Sequence, residues 1–277
     1  MQLRDKLWLW GHGRQSENIV GLPMNLRGRP GISNVSTPEA ARIMGIPNIC
    51  RVSFNPTERP PFDEELELSG DMQKIVWSVL GCGEMKCRDD TDEVIRLAQK
   101  YPNIVGGIMD DFFPGANPEK SKLFTPQVLQ QMRQRLHHEA GRQLGLWVVV
   151  YEWDLREEPF KIKPHLDVCD VATLWTYQAE RLSCLEETYQ KMRSVWGENR
   201  PLLAGCYMWD FPGRKPIPQE LMEFQLDTYY RWLKEGKIDG LILCHNWLVD
   251  LDIQAVQYTK KWIEKYGGTE IDTERNI

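Results

Sequence analysis

Eight short apolar runs recur at intervals along the 277 residues of this chain. Each run is hydrophobic almost throughout, which is typical of strands that are covered on both faces of a parallel sheet. The stretches between most of the runs are long enough for the helical crossover that a parallel connection requires. Since no linker divides the chain, the pattern predicts a single (β/α)8 TIM barrel of the α/β class over residues 1–277. The runs are KLWLWGHG, NICRVSF, KIVWSVLG, NIVGGIMDDFF, GLWVVVYEWD, VCDVATLWTY, LLAGCYMWDF and DGLILCHNWL.

Helix signals occur in the segments between these runs. Ser36 or Thr37 is an N-cap candidate with Pro38 at the first helical position, and Thr125 is followed by Pro126 in the same way. Apolar residues recur at helical spacing behind these starts. The predicted helices lie within residues 36–45, 88–102, 125–143, 218–237 and 252–268.

Polar residues follow several of the predicted strands at the point where each strand ends. In a (β/α)8 barrel the carboxyl ends of all strands meet at one mouth, and catalytic residues lie there. The predicted catalytic acids are Asp110 and Asp111 after the fourth run, Glu152 in the fifth and Asp210 in the seventh.

Asp110 and Asp111 are the most specific of these signals. Because adjacent residues of a strand point to opposite sides, we expect one carboxylate to face the cavity and the other to turn towards a neighbouring strand or loop. If both are partly desolvated, their repulsion raises the pKa of one, which can then act as a general acid. The alternative is a helix-capping Asp beside a solvated one.

The fifth run ends in YEWD. Alternation along a strand places Glu152 and Asp154 on one side and Tyr151 and Trp153 on the other, so we expect at least one of the acids to reach the cavity. The alternative, above all for Asp154, is an ion pair with a barrel arginine such as Arg51 or with Arg156.

Eleven tryptophans are present, and many fall at or beside strand ends. A flat aromatic face stacks on the apolar side of a pyranose ring, while neighbouring polar groups bind the hydroxyls. The alternative for most of the tryptophans is packing inside the barrel. The predicted substrate-binding residues are Trp10, His12, Arg51, Asp154, Trp175, Tyr177, Tyr207, Trp209, His245, Asn246 and Trp247.

Charge and motifs exclude several functions. The net charge is −6 without a basic cluster, which argues against a nucleic-acid partner. No run approaches the roughly 18 apolar residues that cross a membrane. Fingerprints for phosphate loops, dinucleotides and serine nucleophiles are missing, so no cofactor is expected. The first strand is followed by GHG with a single His, so no metal site is predicted, although mixed His and carboxylate ligands remain an alternative.

The seven cysteines favour buried free thiols, because four of them fall within the apolar runs. Cys82 and Cys87 are close enough to bridge across a loop, but their spacing alone does not establish a disulfide. The N-terminal apolar stretch is too short and too charged for a secretory signal. These features favour a cytoplasmic location, unless an export signal lies outside this sequence; the sequence does not indicate an oligomeric state.

The candidate residues resemble those of glycoside hydrolases built on (β/α)8 barrels, particularly enzymes in which an N-acetyl group of the substrate participates. The DD of MDDFF is similar to the Asp pair after the fourth strand of family 84 hexosaminidases. Tyr177 and Trp247 are similar in position to a Tyr and a Trp of the sugar pocket in family 18 chitinases. The resemblance covers the barrel plan and three short patches. It implies that Asp110 orients and polarises a substrate acetamide and that Asp111 is the general acid.

The leading hypothesis is therefore a glycoside hydrolase that cleaves a carbohydrate substrate by acid and base carboxylates at the barrel mouth. Whether the substrate takes part, or Asp111 faces another strand-end acid in a two-carboxylate mechanism, stays open. A carbohydrate-binding barrel without catalysis is the second hypothesis. A metal-dependent barrel lyase or isomerase is the third.

Overall fold

The computed structural model describes residues 1–14, 16, 28–54, 58–82 and 88–271. Each of the eight apolar runs contains one barrel strand: β1 (Leu7–Gly11), β2 (Asn48–Arg51), β3 (Lys74–Leu80), β4 (Ile104–Met109), β5 (Gly145–Tyr151), β6 (Val171–Trp175), β7 (Leu202–Tyr207) and β8 (Gly240–Cys244). All neighbouring pairs are parallel, and the strands close in the order β1–β8–β7–β6–β5–β4–β3–β2. This confirms the predicted (β/α)8 barrel.

Helices connect the strands around the outside of the barrel. The α-helices of the described residues are α1 (Thr37–Met44), α2 (Asp63–Glu67), α3 (Thr91–Lys100), α4 (Lys120–Leu123), α5 (Pro126–His138), α6 (Lys163–Leu166), α7 (Leu185–Trp196), α8 (Gln219–Lys234) and α9 (Gln254–Tyr266). Short 3-10 segments span Leu3–Lys6, Glu152–Leu155, Pro159–Lys161, Ala179–Cys184 and Asn246–Leu248, and a hairpin pairs Trp209–Asp210 with Lys215–Pro216. The five predicted helices correspond to α1, α3, α5, α8 and α9, while α2, α4, α6 and α7 were not predicted.

The residues at the start of α1 cap this helix and also bind the segment that follows β1. Ser36 is the N-cap: its hydroxyl accepts the N–H of Glu39, and the Glu39 carboxylate accepts the N–H of Ser36. Thr37, the other cap candidate, donates its hydroxyl to the carbonyl of His12 at 3.0 Å. The helix ends at Gly45, whose φ of 67° suits a residue without a Cβ. The cap therefore helps to fix the backbone that follows β1.

Tryptophans fill the barrel interior and extend to its mouth. Trp8 meets Trp147 edge-on at 5.2 Å between ring centroids, and Trp10 meets Trp175 at 5.1 Å. A Cβ on Gly205 would lie 2.0 Å from a ring carbon of Trp175, so glycine on β7 is what makes room for the indole of β6. Large and small side chains on neighbouring strands thus interlock, as a close-packed interior requires.

No helix within the described ranges is long and apolar enough to span a membrane. The six described cysteines are free, and five of them are buried. Cys87 lies outside the described residues, so its pairing with Cys82 is not part of this structure.

Candidate active site

A cavity of about 340 Å³ opens at the carboxyl ends of the barrel strands. Its volume falls in the range of roughly 300–1,000 Å³ that is usual for small-molecule sites. Each of the eight strands, or the segment that follows it, contributes to the wall. Nine of the fifteen predicted site residues line it: Trp10, His12, Asp110, Asp111, Trp175, Tyr177, Tyr207, His245 and Trp247.

Asp110 and Asp111 both face the cavity, so the expectation that only one would was wrong. β4 ends at Met109, and Asp111 has a φ of 45°, in the left-handed region, so strand alternation does not extend to it. Such a backbone costs a non-glycine residue roughly 1–3 kcal/mol, and it is found most often at functional sites. Asp110 Oδ1 accepts the N–H of Asp111 at 2.9 Å, and the hydroxyl of Tyr151 donates to Asp111 Oδ1 at 3.0 Å.

The two carboxyl groups differ in their surroundings. Asp110 is 4% exposed, whereas Asp111 is half-buried. Burial raises the pKa of Asp110 well above its usual range, and the charge of Asp111 raises it further. Lys120, the Asp111 N–H and the Cys82 thiol oppose this shift. Asp110 therefore holds its proton to higher pH than an ordinary carboxyl group, as a pair of acids that shares one proton requires.

Lys120 is a fully buried cation beneath this pair. Its ammonium group donates to the carbonyl oxygen of Asp110 at 2.6 Å and to that of Gly81. It therefore joins the ends of β3 and β4 directly below the acids. The sequence did not indicate this role, because no helix was predicted at α4, which Lys120 begins, and Lys122 is a second lysine two residues further on.

Tyr151 and Trp153 form the aromatic wall next to the acids. Their rings stack at 4.4 Å with an interplanar angle of 22°. The expectation that these two rings would face away from the cavity was wrong, because β5 ends at Tyr151 and a 3-10 turn follows. The turn brings both rings to the cavity and sends Glu152 and Asp154 elsewhere.

Other aromatic residues continue the wall around the mouth. Tyr177 stacks on Phe211 at 5.7 Å with an angle of 6°, and Tyr207 meets both rings. Phe54 meets the ring of Trp247 edge-on at 5.0 Å. Phe54, Phe211, Tyr151 and Trp153 were not among the predicted substrate-binding residues, although each lies within or directly after one of the apolar runs.

Glu152 and Asp154 lie outside the central cavity. The Glu152 carboxylate accepts the N–H of Tyr177 at 3.0 Å and binds Arg156 at 3.1 Å, which ties the end of β5 to the end of β6. Asp154 accepts the N–H of Tyr151 at 2.9 Å and lines a separate hollow behind Trp153. Burial, and then the charge of Glu152, raise the pKa of Asp154 to about 7. Neither acid lines the cavity that contains Asp110 and Asp111, so the lining residues give the two-carboxylate alternative no support from this strand.

Three further predicted residues serve the scaffold. Asp210 accepts the N–H of Gly213 at 3.1 Å and faces a hollow beside the short hairpin, not the central cavity. Trp209 is fully buried in that hairpin. Asn246 is fully buried, and its side chain accepts the N–H of His12 and donates to the His12 carbonyl. Their position at strand ends was predicted correctly, but the chain turns before their side chains reach the cavity.

Arg51, predicted to bind substrate, is instead part of a buried ion-pair cluster. Its guanidinium group binds Glu58 at 2.9 Å and Glu65 at 2.5 Å, and it lies over the ring of Trp77. The structure also contradicts the alternative pairing of Arg51 with Asp154. Glu65 comes from α2, the helix after β2, which the sequence analysis did not predict.

One group of side chains among the described residues offers metal-ligand atoms, namely Cys82, Asp110 and Asp111, whose ligand atoms lie within 4.8 Å of one another. Burial raises the pKa of both Cys82 and Asp110, so a cation that binds these groups would have to displace their protons.

No protein-family model matches the sequence, and no curated protein sequence matches it. Solved structures resemble the fold. A family GH18 chitinase from Cycas revoluta, in complex with allosamidin, superposes with a TM-score of 0.54 at 10% identity over 92% of this chain and 99% of that chain. The spore cortex-lytic enzyme SleL of Bacillus cereus gives 0.53 at 10% identity over 99% and 76% of the two chains.

A mutant tryptophan synthase α-subunit from Pyrococcus furiosus gives 0.51 at 11% identity, over 96% of this chain and 99% of that chain. At such identities the comparisons establish the barrel fold, which glycosidases share with enzymes of unrelated chemistry. The assignment of function therefore depends on the side chains at the mouth.

Proposed function

We propose that this protein is a glycoside hydrolase in which Asp110 and Asp111 form the acid–base pair. The observation that carries the proposal is the presence of both carboxyl groups in one aromatic-walled cavity at the barrel mouth. Their unequal burial supports it, because two neighbouring acids with different proton affinities are what acid–base catalysis uses. The fold shared with a chitinase and a cortex-lytic enzyme is compatible with this chemistry.

The proton of the pair rests on Asp110 in the free protein. A substrate amide N–H that binds Asp110 stabilises the ionised form of this carboxyl group, and the proton then passes to Asp111. Asp111 is the more exposed of the two, so it meets the glycosidic oxygen on the side of the mouth. Asp111 protonates that oxygen as its bond to C1 breaks, while the acetamide oxygen of the substrate forms a bond to C1. Water then attacks C1, the bond between C1 and the acetamide oxygen breaks, and the proton of the water goes to Asp111. When the product leaves, this proton returns to Asp110, which restores the starting state.

Tyr151 and Trp153 each have a task in this scheme. The Tyr151 hydroxyl holds Asp111 in one orientation, and the indole face supplies an apolar surface for the sugar ring. Trp10 and Trp175 add further aromatic surface to the cavity.

The proposal is tested with a panel of 4-methylumbelliferyl glycosides, with and without a 2-acetamido group. We expect turnover of an acetamido sugar, and loss of about 100-fold to 10,000-fold in kcat/KM for Asp111→Asn, the usual contribution of general acid–base catalysis. Asp92→Asn is the matched control, since its side chain is 85% exposed on the outside of α3. Full activity of a folded Asp111→Asn protein would remove this residue from the mechanism.

The same purified protein also tests the two other hypotheses, a carbohydrate-binding barrel and a metal-dependent enzyme. Calorimetric binding of a sugar without turnover of any glycoside would support a binding barrel in place of an enzyme. Loss of turnover on treatment with EDTA would support metal-dependent chemistry; we expect EDTA to leave turnover unchanged.

A further inference from the structure

Two histidines form the cavity wall on the side away from the acid pair. His12 follows β1 and His245 follows β8, and these strands are neighbours, whereas Asp110 follows β4, four strands away from β8 around the closed barrel. The two imidazole rings lie 5.9 Å apart between centroids. The proposed mechanism uses neither of them.

His12 has a fixed tautomer. Its Nδ1 lies 2.9 Å from the carbonyl oxygen of Val52, which can only accept, so Nδ1 carries the hydrogen. Burial lowers the pKa of His12 to about 3; the Val52 contact and Asp111 oppose the shift, and Arg51 adds to it. The ring is therefore neutral at physiological pH, and Nε2 is a bare acceptor. No residue in the described part of the chain binds this nitrogen.

His245 has the opposite tautomer. Its Nδ1 accepts the N–H of Trp247 at 3.4 Å, and a main-chain N–H can only donate, so Nδ1 is bare and Nε2 carries the hydrogen. Burial lowers the pKa of His245 well below its usual range, His12 and Arg29 lower it further, and the Asn246 side chain opposes. The cavity wall thus presents one acceptor nitrogen and one donor nitrogen side by side.

We propose that His12 and His245 determine specificity by binding two hydroxyl groups of the sugar, His12 as acceptor and His245 as donor. A hydroxyl group both donates and accepts, so neighbouring ring hydroxyls can satisfy both nitrogens. A sugar that lacks either hydroxyl leaves a buried nitrogen without a partner, which disfavours binding. A substituent on the oxygen opposite His12 has the same effect, because that oxygen can then no longer donate. The inference rests on the proposed function and narrows it to sugar residues with a free hydroxyl opposite His12 and an oxygen opposite His245.

The tautomers are measured without any substrate. Long-range 1H–15N correlation spectra of protein labelled with 15N-histidine distinguish the two neutral forms and the charged form. Variants His12→Phe and His245→Phe assign the signals among the five histidines. We expect His12 protonated at Nδ1, His245 at Nε2, and neither ring charged between pH 5 and 8. The reverse tautomers, or protonation of either ring near pH 6, would overturn the proposal.

The recognition itself is measured with monodeoxy and monofluoro derivatives of the best aryl glycoside. Wild-type protein should lose about tenfold to a hundredfold in kcat/KM when either hydroxyl is removed. Fluorine accepts weakly but cannot donate, so it should restore part of the loss opposite His245 and none opposite His12. His245→Phe and His12→Phe should each abolish discrimination at one position. His138→Phe, on the exposed face of α5, is the matched control.

The outcomes separate the two proposals. If no glycoside is hydrolysed by the wild-type protein, the proposed function fails, and the tautomers alone then no longer support sugar recognition. If hydrolysis occurs and both variants discriminate between parent and deoxy substrates as the wild type does, only the inference about the histidines fails.

Discussion

Replacing Lys120 with methionine would test the electrostatics of the acid pair. The substitution removes the only charge that the structure sets beneath Asp110 among the described residues, while an unbranched apolar chain fills the same space. The two carbonyl oxygens that Lys120 binds, those of Gly81 and Asp110, would lose their donor. Because the ammonium charge favours the ionised form of Asp110, its removal raises the pKa of that carboxyl group further.

The magnitude follows from the contact. Lys120 Nζ lies 2.6 Å from the carbonyl oxygen of Asp110. The carboxyl group belongs to the same residue, and two unit charges about 6 Å apart interact by about 3 kcal/mol at an effective dielectric constant of about 20. That energy corresponds to a rise of about two pKa units.

Two measurements follow the shift. In the pH–rate profile of the best aryl glycoside, the alkaline limb reports loss of the proton from the pair, so Lys120→Met should move it upward by about two units. Titration of 13C-labelled aspartate carboxyl groups by NMR follows the same proton without substrate. Melting curves of the variant, recorded beforehand, set a temperature at which it is folded.

Lys122→Met is the matched control, because Lys122 lies two residues away with its side chain 68% exposed and paired only with Glu119. It should leave both the profile and the titration unchanged. An alkaline limb that stays in place in folded Lys120→Met would show that the buried ammonium does not tune the pair, and the reasoning would be wrong.

Three further outcomes are expected. Because the folded-state pKa of Asp110 is raised, the folded state binds more protons than the unfolded one above pH about 3.9, and the free energy of unfolding falls as pH rises through this window. Asp110→Asn should therefore melt at a higher temperature than the wild type at pH 7, and in calorimetric scans this difference should disappear near pH 4. Tyr151→Phe removes the hydrogen bond to Asp111 and should lower kcat about tenfold to a hundredfold with an unchanged circular dichroism spectrum; an unaltered kcat would contradict that role. Arg51→Met removes a buried cation from two partly buried glutamates and should cost about 1.5–3 kcal/mol in urea unfolding. Arg42→Met, which breaks an exposed pair, should cost less than about 1 kcal/mol, and equal losses would refute the distinction.

The barrel could be predicted from the sequence because its signal is repeated. A parallel strand covered on both faces must be apolar at nearly every position, and eight such runs separated by crossover lengths leave few other architectures. The predicted site benefited from the same geometry, since the carboxyl ends of parallel strands share one mouth. This is why nine of the predicted residues lie in one cavity.

The errors arose where a strand ends. Alternation applies only while the backbone is extended, and the sequence does not show that Asp111 turns to a positive φ or that a 3-10 turn begins at Glu152. The sequence also did not reveal which side chains pair over long distances along the chain. Nothing local to Arg51 indicates that its partner Glu65 comes from a short helix, and Lys120 reaches the acids from the start of α4, whose position is set by the completed fold.

The cavity wall takes residues from the first strand and the last, and from each strand between them or the segment that follows it. Ligand binding therefore depends on closure of the barrel. The part of the pocket that His12 and His245 form is absent until β1 pairs with β8. An incomplete or cleaved chain that lacks β8 should therefore have no activity at all, rather than a reduced activity. A tightly binding ligand should in turn stabilise the closed barrel and raise the melting temperature of all its strands together.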